Sequence, residues 1–283
     1  MTFVVERPGM RSLLQDRGRP GLGHLGVSPS GAFDRSALRQ VDALLGNSPG
    51  TAAIEALDGG LVLRAAASHV VAVTGGVGPV TIDGRPVTFG RATPIRAGQR
   101  LEVGPLTAGM LAYVGVAGGL LARPELGSVS TDTLSGLGPA SLRAGDVLGV
   151  GTPRPVPHLA DVPPLARSGE ITLDVVLGPR DDWFTPAAVR RLLQEPWRVS
   201  PASSRVGVRL DGPALERAVA GELASEPCVR GSIQVAADGQ PIVFGPDHPV
   251  TGGYPVVAVV VDAHTDRLAQ ARPGEVVRFS RVA

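Results

Sequence analysis

Short apolar runs bounded by turn residues recur along almost the whole chain. Residues 53–57, 61–65 and 70–74 are typical, because each is apolar and is followed closely by aspartate, serine or glycine. Runs of this length and composition predict β-strands. The same pattern predicts strands at residues 3–6, 80–82, 101–103, 110–116, 171–177, 197–199, 205–210, 233–236, 241–244, 256–261 and 276–279.

Helical periodicity is confined to a few short segments. Leu38, Val41, Leu44 and Leu45 fall on one face of a predicted helix over residues 34–45, which Gly46 and Asn47 end. Two shorter helices are predicted at residues 185–193 and 265–271. The fold class is therefore mainly β, although periodicity alone leaves a barrel and a sandwich both open.

A proline-rich stretch divides the pattern. Prolines stand at positions 153, 155, 157, 163 and 164, which favours a semi-extended connection over residues 151–168. We therefore expect an N-terminal β lobe at residues 1–150 and a C-terminal β lobe at residues 169–283.

Composition narrows the function classes. The 38 glycines and 26 prolines disfavour long helices, and the net charge of +1 gives no electrostatic reason to expect nucleic acid or an anionic membrane. Cys228 is the single cysteine, which excludes an internal disulfide and agrees with a reducing cytoplasm. We predict a cytoplasmic protein, since neither a signal-peptide pattern nor a membrane-length apolar run is present.

The chain contains no lysine, and all 27 of its basic residues are arginine. It therefore cannot carry biotin on a lysine, form a lysine Schiff base or complete a Walker A loop. If ATP or biotin takes part in the reaction, another subunit must supply those sites.

Motifs at both ends of the chain point to one family. Residues 231–235 read GSIQV, residues 238–244 read DGQPIVF, and residues 251–255 read TGGYP; DRLAQ and RPGEVVRF follow. Residues 13–34 read LLQDRGRPGLGHLGVSPSGAFD, and LLGN and AAIEA come after them. These motifs resemble those of the allophanate hydrolase subunit 2 family. The same family is also called the biotin-dependent carboxyltransferase domain family, the family of the C-type subunit of 5-oxoprolinase, and the Kip antagonist family.

The resemblance implies two cyclophilin-like β-barrel lobes and a subunit of a hetero-oligomeric hydrolase that cleaves a small amide. The implied partners are a companion subunit of type 1 or B and, for 5-oxoprolinase, a further subunit of type A. The 5-oxoprolinase complex uses ATP to open 5-oxoproline to glutamate. We favour this member of the family because stand-alone subunits of this length resemble it. One alternative is carboxyl transfer to urea from carboxybiotin on another protein, and another is a non-catalytic regulatory binding subunit.

Four residues are candidate catalytic groups. Arg205 and Arg209 fall on one face of an alternating strand, where they could hold a carboxylate or phosphate, or could simply face solvent. Gln234 could bond an amide substrate or satisfy loop backbone, as could the substrate-binding candidate Gln240. Tyr254 could stack on a substrate or hold a structural hydrogen bond.

The loop at residues 245–255 concentrates further substrate-binding candidates. Its paired glycines let the backbone approach a ligand closely. His248 is either a general base or an exposed loop histidine. The candidates in this loop are Asp247, Thr251, Gly252 and Gly253.

Three N-terminal residues complete the candidate set. Ser30 and Asp34 could contact ligand, or could cap the helix that follows them. Glu55 lies in an apolar stretch and needs a partner, either an arginine or a neighbouring chain. No metal is expected, because the five histidines are scattered without ligand spacing.

Overall fold

The computed structural model describes residues 2–156, 161–163 and 169–282. The chain forms two compact units. The first contains the described parts of residues 1–19, 34–132 and 136–167, and the second contains those of residues 20–33, 133–135 and 168–283. Much of the predicted proline-rich connection, at residues 157–160 and 164–168, lies outside the described residues.

The first unit consists of two β-sheets and one helix. Its seven-stranded sheet has the order β11-β12-β1-β4-β9-β6-β7, and its five-stranded sheet has the order β2-β3-β10-β5-β8. The strands are β1 (Thr2–Pro8), β2 (Arg11–Gln15), β3 (Ala53–Leu57), β4 (Leu61–Ala65), β5 (His69–Val77), β6 (Val80–Ile82), β7 (Arg85–Pro86), β8 (Thr93–Ile95), β9 (Arg100–Val103), β10 (Ala108–Val116), β11 (Leu120–Leu121) and β12 (Val147–Val150).

Both sheets of the first unit contribute to one apolar core. Phe3 and Leu63 from the seven-stranded sheet share a buried cluster with Ile54 and Val114 from the five-stranded sheet. Burying such side chains removes apolar surface from water, which is the main stabilising contribution to folding.

Helix α1 (Arg35–Leu45) packs on the five-stranded sheet. Asp34 caps its first turn by accepting a hydrogen bond from the Ala37 N–H, and Gly46 ends it in the left-handed conformation. A Cβ at Gly115 of β10 would lie 2.7 Å from a Val41 methyl group, so the close approach of helix and strand requires glycine there.

The second unit is a closed seven-stranded barrel with two short α-helices. The strands close in the order β13-β20-β17-β18-β15-β14-β21, and β16 pairs with β19 outside the barrel. The elements are β13 (Ile171–Leu177), α2 (Pro186–Gln194), β14 (Trp197–Val199), β15 (Gly207–Asp211), β16 (Glu226–Pro227), β17 (Ser232–Val235), β18 (Pro241–Phe244), β19 (Thr251–Gly252), β20 (Val256–Val260), α3 (Thr265–Leu268) and β21 (Val276–Arg281). Single 3₁₀ turns lie at Gly23–Leu25, Asp181–Trp183 and Asp262–His264.

The prediction of a mainly β fold is confirmed, with 37% of residues in strands against 12% in helices. The pattern placed the long helix and most strands within a few residues of their observed bounds. It missed β2 and the short strands β7, β8, β11, β16 and β19, and it began β15 too early, at Arg205. Among the described residues, no helix combines the length and hydropathy needed to cross a bilayer.

Candidate functional site

The Gly-Gly-Tyr loop is anchored to the barrel by Gln234. Its Nε2 donates a hydrogen bond to the Tyr254 carbonyl oxygen at 2.8 Å. A Cβ at Gly252 would lie 2.5 Å from the same Nε2, so the loop backbone rests directly on the amide. Gln234 therefore holds the loop in place, and its side chain is buried rather than presented to solvent.

The outer part of this loop is accessible to a ligand or a partner. The Tyr254 side chain is 47% exposed, and its ring lies 5.8 Å from the Arg217 guanidinium carbon. Thr251 and Gly253 are also exposed. A tyrosine ring held by a cation–π contact can stack on a substrate, and the neighbouring hydroxyl and backbone N–H groups can donate hydrogen bonds.

Asp247 lies at the centre of a buried polar network. Its two carboxylate oxygens accept hydrogen bonds from Arg205 Nε at 2.8 Å and Nη2 at 3.0 Å. Ser30 Oγ donates to it at 2.8 Å, and Thr133 donates from its N–H at 2.9 Å and its Oγ1 at 2.7 Å. Such a bidentate, fully hydrogen-bonded pair is the arrangement in which a buried carboxylate is stable.

The network keeps Asp247 ionised. Burial by itself raises the pKa of this carboxyl, but the Arg205 charge and the hydrogen bonds from Arg205 and Thr133 outweigh burial and hold the pKa below its ordinary value. Because its oxygens are occupied by these donors, Asp247 fixes the loop and is poorly placed to take a proton from a substrate.

The expectation that Arg205 and Arg209 share one open face is wrong. Arg205 lies before β15, is 1% exposed, and donates to Asp247 and to the Gly31 carbonyl oxygen at 2.6 Å. The alternation of the strand begins only at Gly207, so it does not carry back to Arg205.

Arg209 is the accessible member of the pair. It lies in the same cross-strand row as Ile242 and Gln234 on the outer barrel surface, about 10 Å from Gln234 by strand spacing. Its side chain is exposed and bonds to none of the described residues. A guanidinium in this position can hold a carboxylate or phosphate.

Two further candidates in the barrel have structural partners. The Gln240 side-chain amide donates to the Gly212 carbonyl oxygen and accepts from the Gly212 N–H, both at 3.0 Å. These two hydrogen bonds join the side chain to the backbone after β15. His248 is 2% exposed, stacks on Phe244 and contacts the Pro249 carbonyl oxygen through Nδ1 at 2.8 Å. The alternative of an exposed loop histidine is therefore wrong.

In the first unit, Glu55 and Asp34 are connected through Tyr113. The buried phenol donates to Glu55 Oε2 at 2.6 Å and accepts from the Asp34 N–H at 2.7 Å. Burial and then the Glu55 and Asp34 charges raise the pKa of Tyr113 well above its ordinary value, so the phenol remains a donor. The buried Glu55 thus has a hydrogen-bond partner in its own chain, the Tyr113 phenol.

Of the two candidates for a helix cap, Asp34 caps a helix and Ser30 does not. Asp34 caps α1, as that alternative predicted. Ser30 lies in the left-handed region at φ 51°, which is unusual for serine, and its hydroxyl bonds Asp247 instead of a helix terminus.

Sequence reasoning did not identify Arg230 or Thr133. Arg230 donates to the carbonyl oxygens of Ala32 at 3.3 Å and Phe33 at 2.6 Å, and its guanidinium lies over the Phe33 ring. It also bonds the side chains of Thr265 at 3.0 Å and Asp266 at 3.3 Å. All these partners are distant in sequence, so no residue pattern reveals them. Arg205 and Arg230 together donate to three successive carbonyl oxygens of the N-terminal loop, at residues 31–33.

A buried carboxyl in α1 gives a prediction about pH. Asp42 is 3% exposed, and burial raises its pKa to about 7, although the N–H groups of Gly50 and Thr51 partly oppose this. With a raised folded pKa, its contribution to stability is complete below about pH 4 and is lost as the pH rises through about 7. We expect Asp42→Asn to increase the free energy of unfolding at pH 8 by about 1–2 kcal/mol, since part of the gain is offset by burying the amide.

Denaturant unfolding followed by far-UV circular dichroism at pH 5 and pH 8 measures this effect. The control is Asp211→Asn, an exposed carboxylate. An Asp42→Asn variant that is less stable than the wild type at pH 8 would contradict the assignment.

The glycine run that could have formed a phosphate loop has the structure of a strand. The glycine run at residues 75–78 lies largely within β5 and does not precede a helix, and the chain has no lysine. Among the described residues, no group of three or more histidine, cysteine, aspartate or glutamate side chains could hold a metal ion.

Comparison with known proteins gives a consistent result. The model of the carboxyltransferase domain, subdomain A and B, matches residues 25–281. The chain is similar to the C-type subunit of 5-oxoprolinase from Escherichia coli, with 35% identity over 97% of this chain and 89% of that protein. It is also similar to urea amidolyase of Saccharomyces cerevisiae, with 32% identity over 97% of this chain and 16% of that protein.

A solved structure shows the same fold. The crystal structure of the K. lactis urea amidolyase superimposes with a TM-score of 0.94 and 27% identity, covering 100% of this chain and 19% of that one. The chain therefore spans less than a fifth of either urea amidolyase. The family predicted from the sequence motifs is confirmed.

Proposed function

We propose that this chain, which belongs to the carboxyltransferase domain family with subdomains A and B, is the C-type subunit of a 5-oxoprolinase complex. The complex would open the lactam of 5-oxoproline to glutamate with consumption of ATP. The observation that carries the proposal is the similarity to the C-type 5-oxoprolinase subunits of Escherichia coli and Haemophilus influenzae, with 35% and 33% identity over 97% and 96% of this chain.

The proposal assigns ATP to partner subunits. This chain contains no lysine, and its glycine run at residues 75–78 lies largely within β5. The companion B-type subunit and a further A-type subunit would supply nucleotide binding. The contribution of this chain is then to bind and orient the amide substrate and to complete the assembly.

The accessible side chains of the barrel suit an interface with the companion subunit. Arg209 would hold an anionic group, carboxylate or phosphate, presented there. Tyr254, Thr251 and Gly253 are the exposed members of the Gly-Gly-Tyr loop and would contact substrate or partner. Arg205, Asp247 and Gln234 would act as positioning residues that hold these loops.

A second candidate function is carboxyl transfer to urea from carboxybiotin on another protein. The family description and the TM-score of 0.94 to the K. lactis urea amidolyase favour it. A third candidate is a regulatory subunit that binds a partner without turnover, for which the exposed loop would be the interface.

Reconstitution with the natural partner subunits separates the three candidates. The assembled complex is given 5-oxoproline with ATP in one arm, and urea with carboxylated biotin carrier in the other. Formation of glutamate that requires this chain supports the proposal. Carboxylation of urea alone supports the second candidate, and assembly without either reaction supports the third.

The role of Arg209 is tested in the same complex. We expect Arg209→Ala to lower kcat/KM for 5-oxoproline by about tenfold or more, since a lost charged hydrogen bond weakens binding by about 1.5–3 kcal/mol. Arg190→Ala, an exposed arginine on α2, is the matched control. If Arg209→Ala assembles normally and keeps full activity, the proposed anion contact is wrong.

A further inference from the structure

Arg19 is a buried arginine that forms no ion pair within the described part of the chain. Its side chain is 2% exposed, with Nη2 donating to the Ser130 carbonyl oxygen at 2.6 Å and Nε to the Glu125 carbonyl oxygen at 3.3 Å. Nη1 is buried and has no hydrogen-bond partner among the described residues, nor does Arg19 form an ion pair with any of them. A buried N–H without an acceptor is unfavourable, so Nη1 is free to bond a ligand.

Gln15 presents the complementary group. It is fully buried, and its Nε2 donates to the Thr131 carbonyl oxygen at 2.8 Å. Its Oε1 has no hydrogen-bond partner among the described residues. Because Arg19 and Gln15 bond the carbonyls of adjacent residues, the first unit brings an unsatisfied donor and an unsatisfied acceptor to one short stretch of backbone.

The frame around these two side chains is rigid. Asp16 Oδ1 accepts hydrogen bonds from the Gly18 N–H at 2.7 Å, Ser128 Oγ at 2.6 Å and Ser130 Oγ at 2.5 Å. Its Oδ2 accepts from the Val129 N–H at 2.9 Å. Asp16 therefore connects the two segments and forms no direct ion pair with Arg19.

A turn with two residues in the left-handed region carries one of the two carbonyls that bond Arg19. Leu126 has φ 51° and Gly127 has φ 82°, and Glu125 and Ser128 pair on either side of them. A leucine in the left-handed region is unfavourable, and backbone strain of this kind concentrates at sites of ligand binding or switching. The Glu125 carbonyl bonds Arg19 Nε at 3.3 Å, so it is the weaker of the two carbonyl contacts that hold the guanidinium.

We propose that Arg19 and Gln15 form a binding site for a small ligand that carries a carboxylate next to an amide N–H. Arg19 Nη1 would donate to the carboxylate, and Gln15 Oε1 would accept from the amide. The turn at residues 125–128 would open to admit the ligand.

This inference rests on the proposed function, since 5-oxoproline has its carboxylate beside its lactam N–H. Allophanate, the carboxylated form of urea, presents the same pair of groups. The binding site would therefore take the substrate carboxylate itself and leave Arg209 for another anionic group.

Binding of small probes to the purified chain, without ATP or partners, tests the site by isothermal titration calorimetry. Four probes are compared: 5-oxoproline, allophanate, 2-pyrrolidinone, which lacks the carboxylate, and cyclopentanecarboxylate, which lacks the N–H. We expect 5-oxoproline or allophanate to bind at least about tenfold more tightly than either truncated probe. The tighter of the two identifies the source of the carboxylate.

Two arginines of one motif give a matched pair of variants. Arg19→Gln is expected to raise the Kd by about tenfold or more, and Arg17→Gln, whose side chain is exposed, by less than about twofold. Circular dichroism checks that both variants fold. The comparison of probes on the wild-type chain needs no variant, so it decides the proposal even if Arg19→Gln does not fold.

Several results would overturn the proposal. They are equal affinity for the intact and truncated probes, no binding by any probe, or equal affinity of folded Arg19→Gln and Arg17→Gln. A crystal structure in which only water bridges Arg19 and Gln15 at saturating 5-oxoproline would do the same. A complex that opens 5-oxoproline with an unchanged KM in Arg19→Gln would reject this site and leave the proposed function intact.

Discussion

Replacing Asp247 with asparagine is expected to lower the free energy of unfolding by about 3–5 kcal/mol, because it leaves a buried arginine without its counter-charge. Both side chains are almost fully buried, at 1% exposure for Arg205 and 0% for Asp247. The amide also cannot accept all the hydrogen bonds that Ser30, Thr133 and Arg205 donate to the carboxylate. The loss of these contacts should loosen the N-terminal loop of the second unit.

Tryptophan fluorescence during urea unfolding measures this change, since both tryptophans, Trp183 and Trp197, lie in the second unit. Asp211→Asn, an exposed carboxylate of β15, should change stability by less than about 0.5 kcal/mol. The lowered pKa of Asp247 means that its stabilisation is present above the unfolded pKa, about 4, and is lost as the pH falls through the folded value. If Asp247→Asn and Asp211→Asn changed the free energy of unfolding equally at pH 7, the ion pair of Asp247 with Arg205 would contribute little to stability.

Replacing Tyr113 with phenylalanine is expected to destabilise the protein by about 2–4 kcal/mol. The hydroxyl donates to Glu55 and accepts from the Asp34 N–H, and each buried group that loses a partner costs about 1–3 kcal/mol. The first turn of α1 should lose order as well, because Asp34 is its N-cap.

The other tyrosine of the chain provides the control. Tyr254 is 47% exposed, so Tyr254→Phe should change stability by less than about 0.5 kcal/mol. Far-UV circular dichroism during denaturation and hydrogen exchange of the α1 amides measure both variants. Unchanged exchange in α1 of Tyr113→Phe would show that the connection from Glu55 to the helix cap is not stabilising.

Strands with a continuous apolar pattern could be predicted from the sequence. Strands that form only because a neighbouring strand pairs with them could not. Ala53–Leu57 and Leu61–Ala65 have the predicted bounds because burial selects β-branched and aliphatic residues there. Arg11–Gln15 was missed because it stands beside glycine, proline and arginine, and it becomes a strand through its pairing with β3. Propensity is a weak guide where tertiary pairing decides the conformation.

The buried polar networks were the least predictable part of the candidate site. Alternation placed Arg205 beside Arg209, but the observed partners of Arg205 are Asp247 and the distant Gly31 carbonyl. The need of Glu55 for a partner could be inferred from its apolar surroundings. That the partner is Tyr113 depends on the register of β3 and β10, which sets the two residues directly opposite each other.

The family motifs gave information that pattern alone could not. They indicated a barrel where periodicity left a sandwich equally open, and the second unit is a closed barrel. They also directed attention to the Gly-Gly-Tyr loop, whose exposed Tyr254 remains a candidate for substrate or partner contact. The motifs do not distinguish the substrates of the family, because the chain is similar both to a subunit of 5-oxoprolinase and to urea amidolyase.

The most direct test of the proposed function is phosphate release from ATP by the partner subunits, with and without this chain and with and without 5-oxoproline. We predict release that depends on both this chain and 5-oxoproline, accompanied by an equal amount of glutamate. An intact complex whose phosphate release is unaffected by 5-oxoproline would contradict the 5-oxoprolinase assignment.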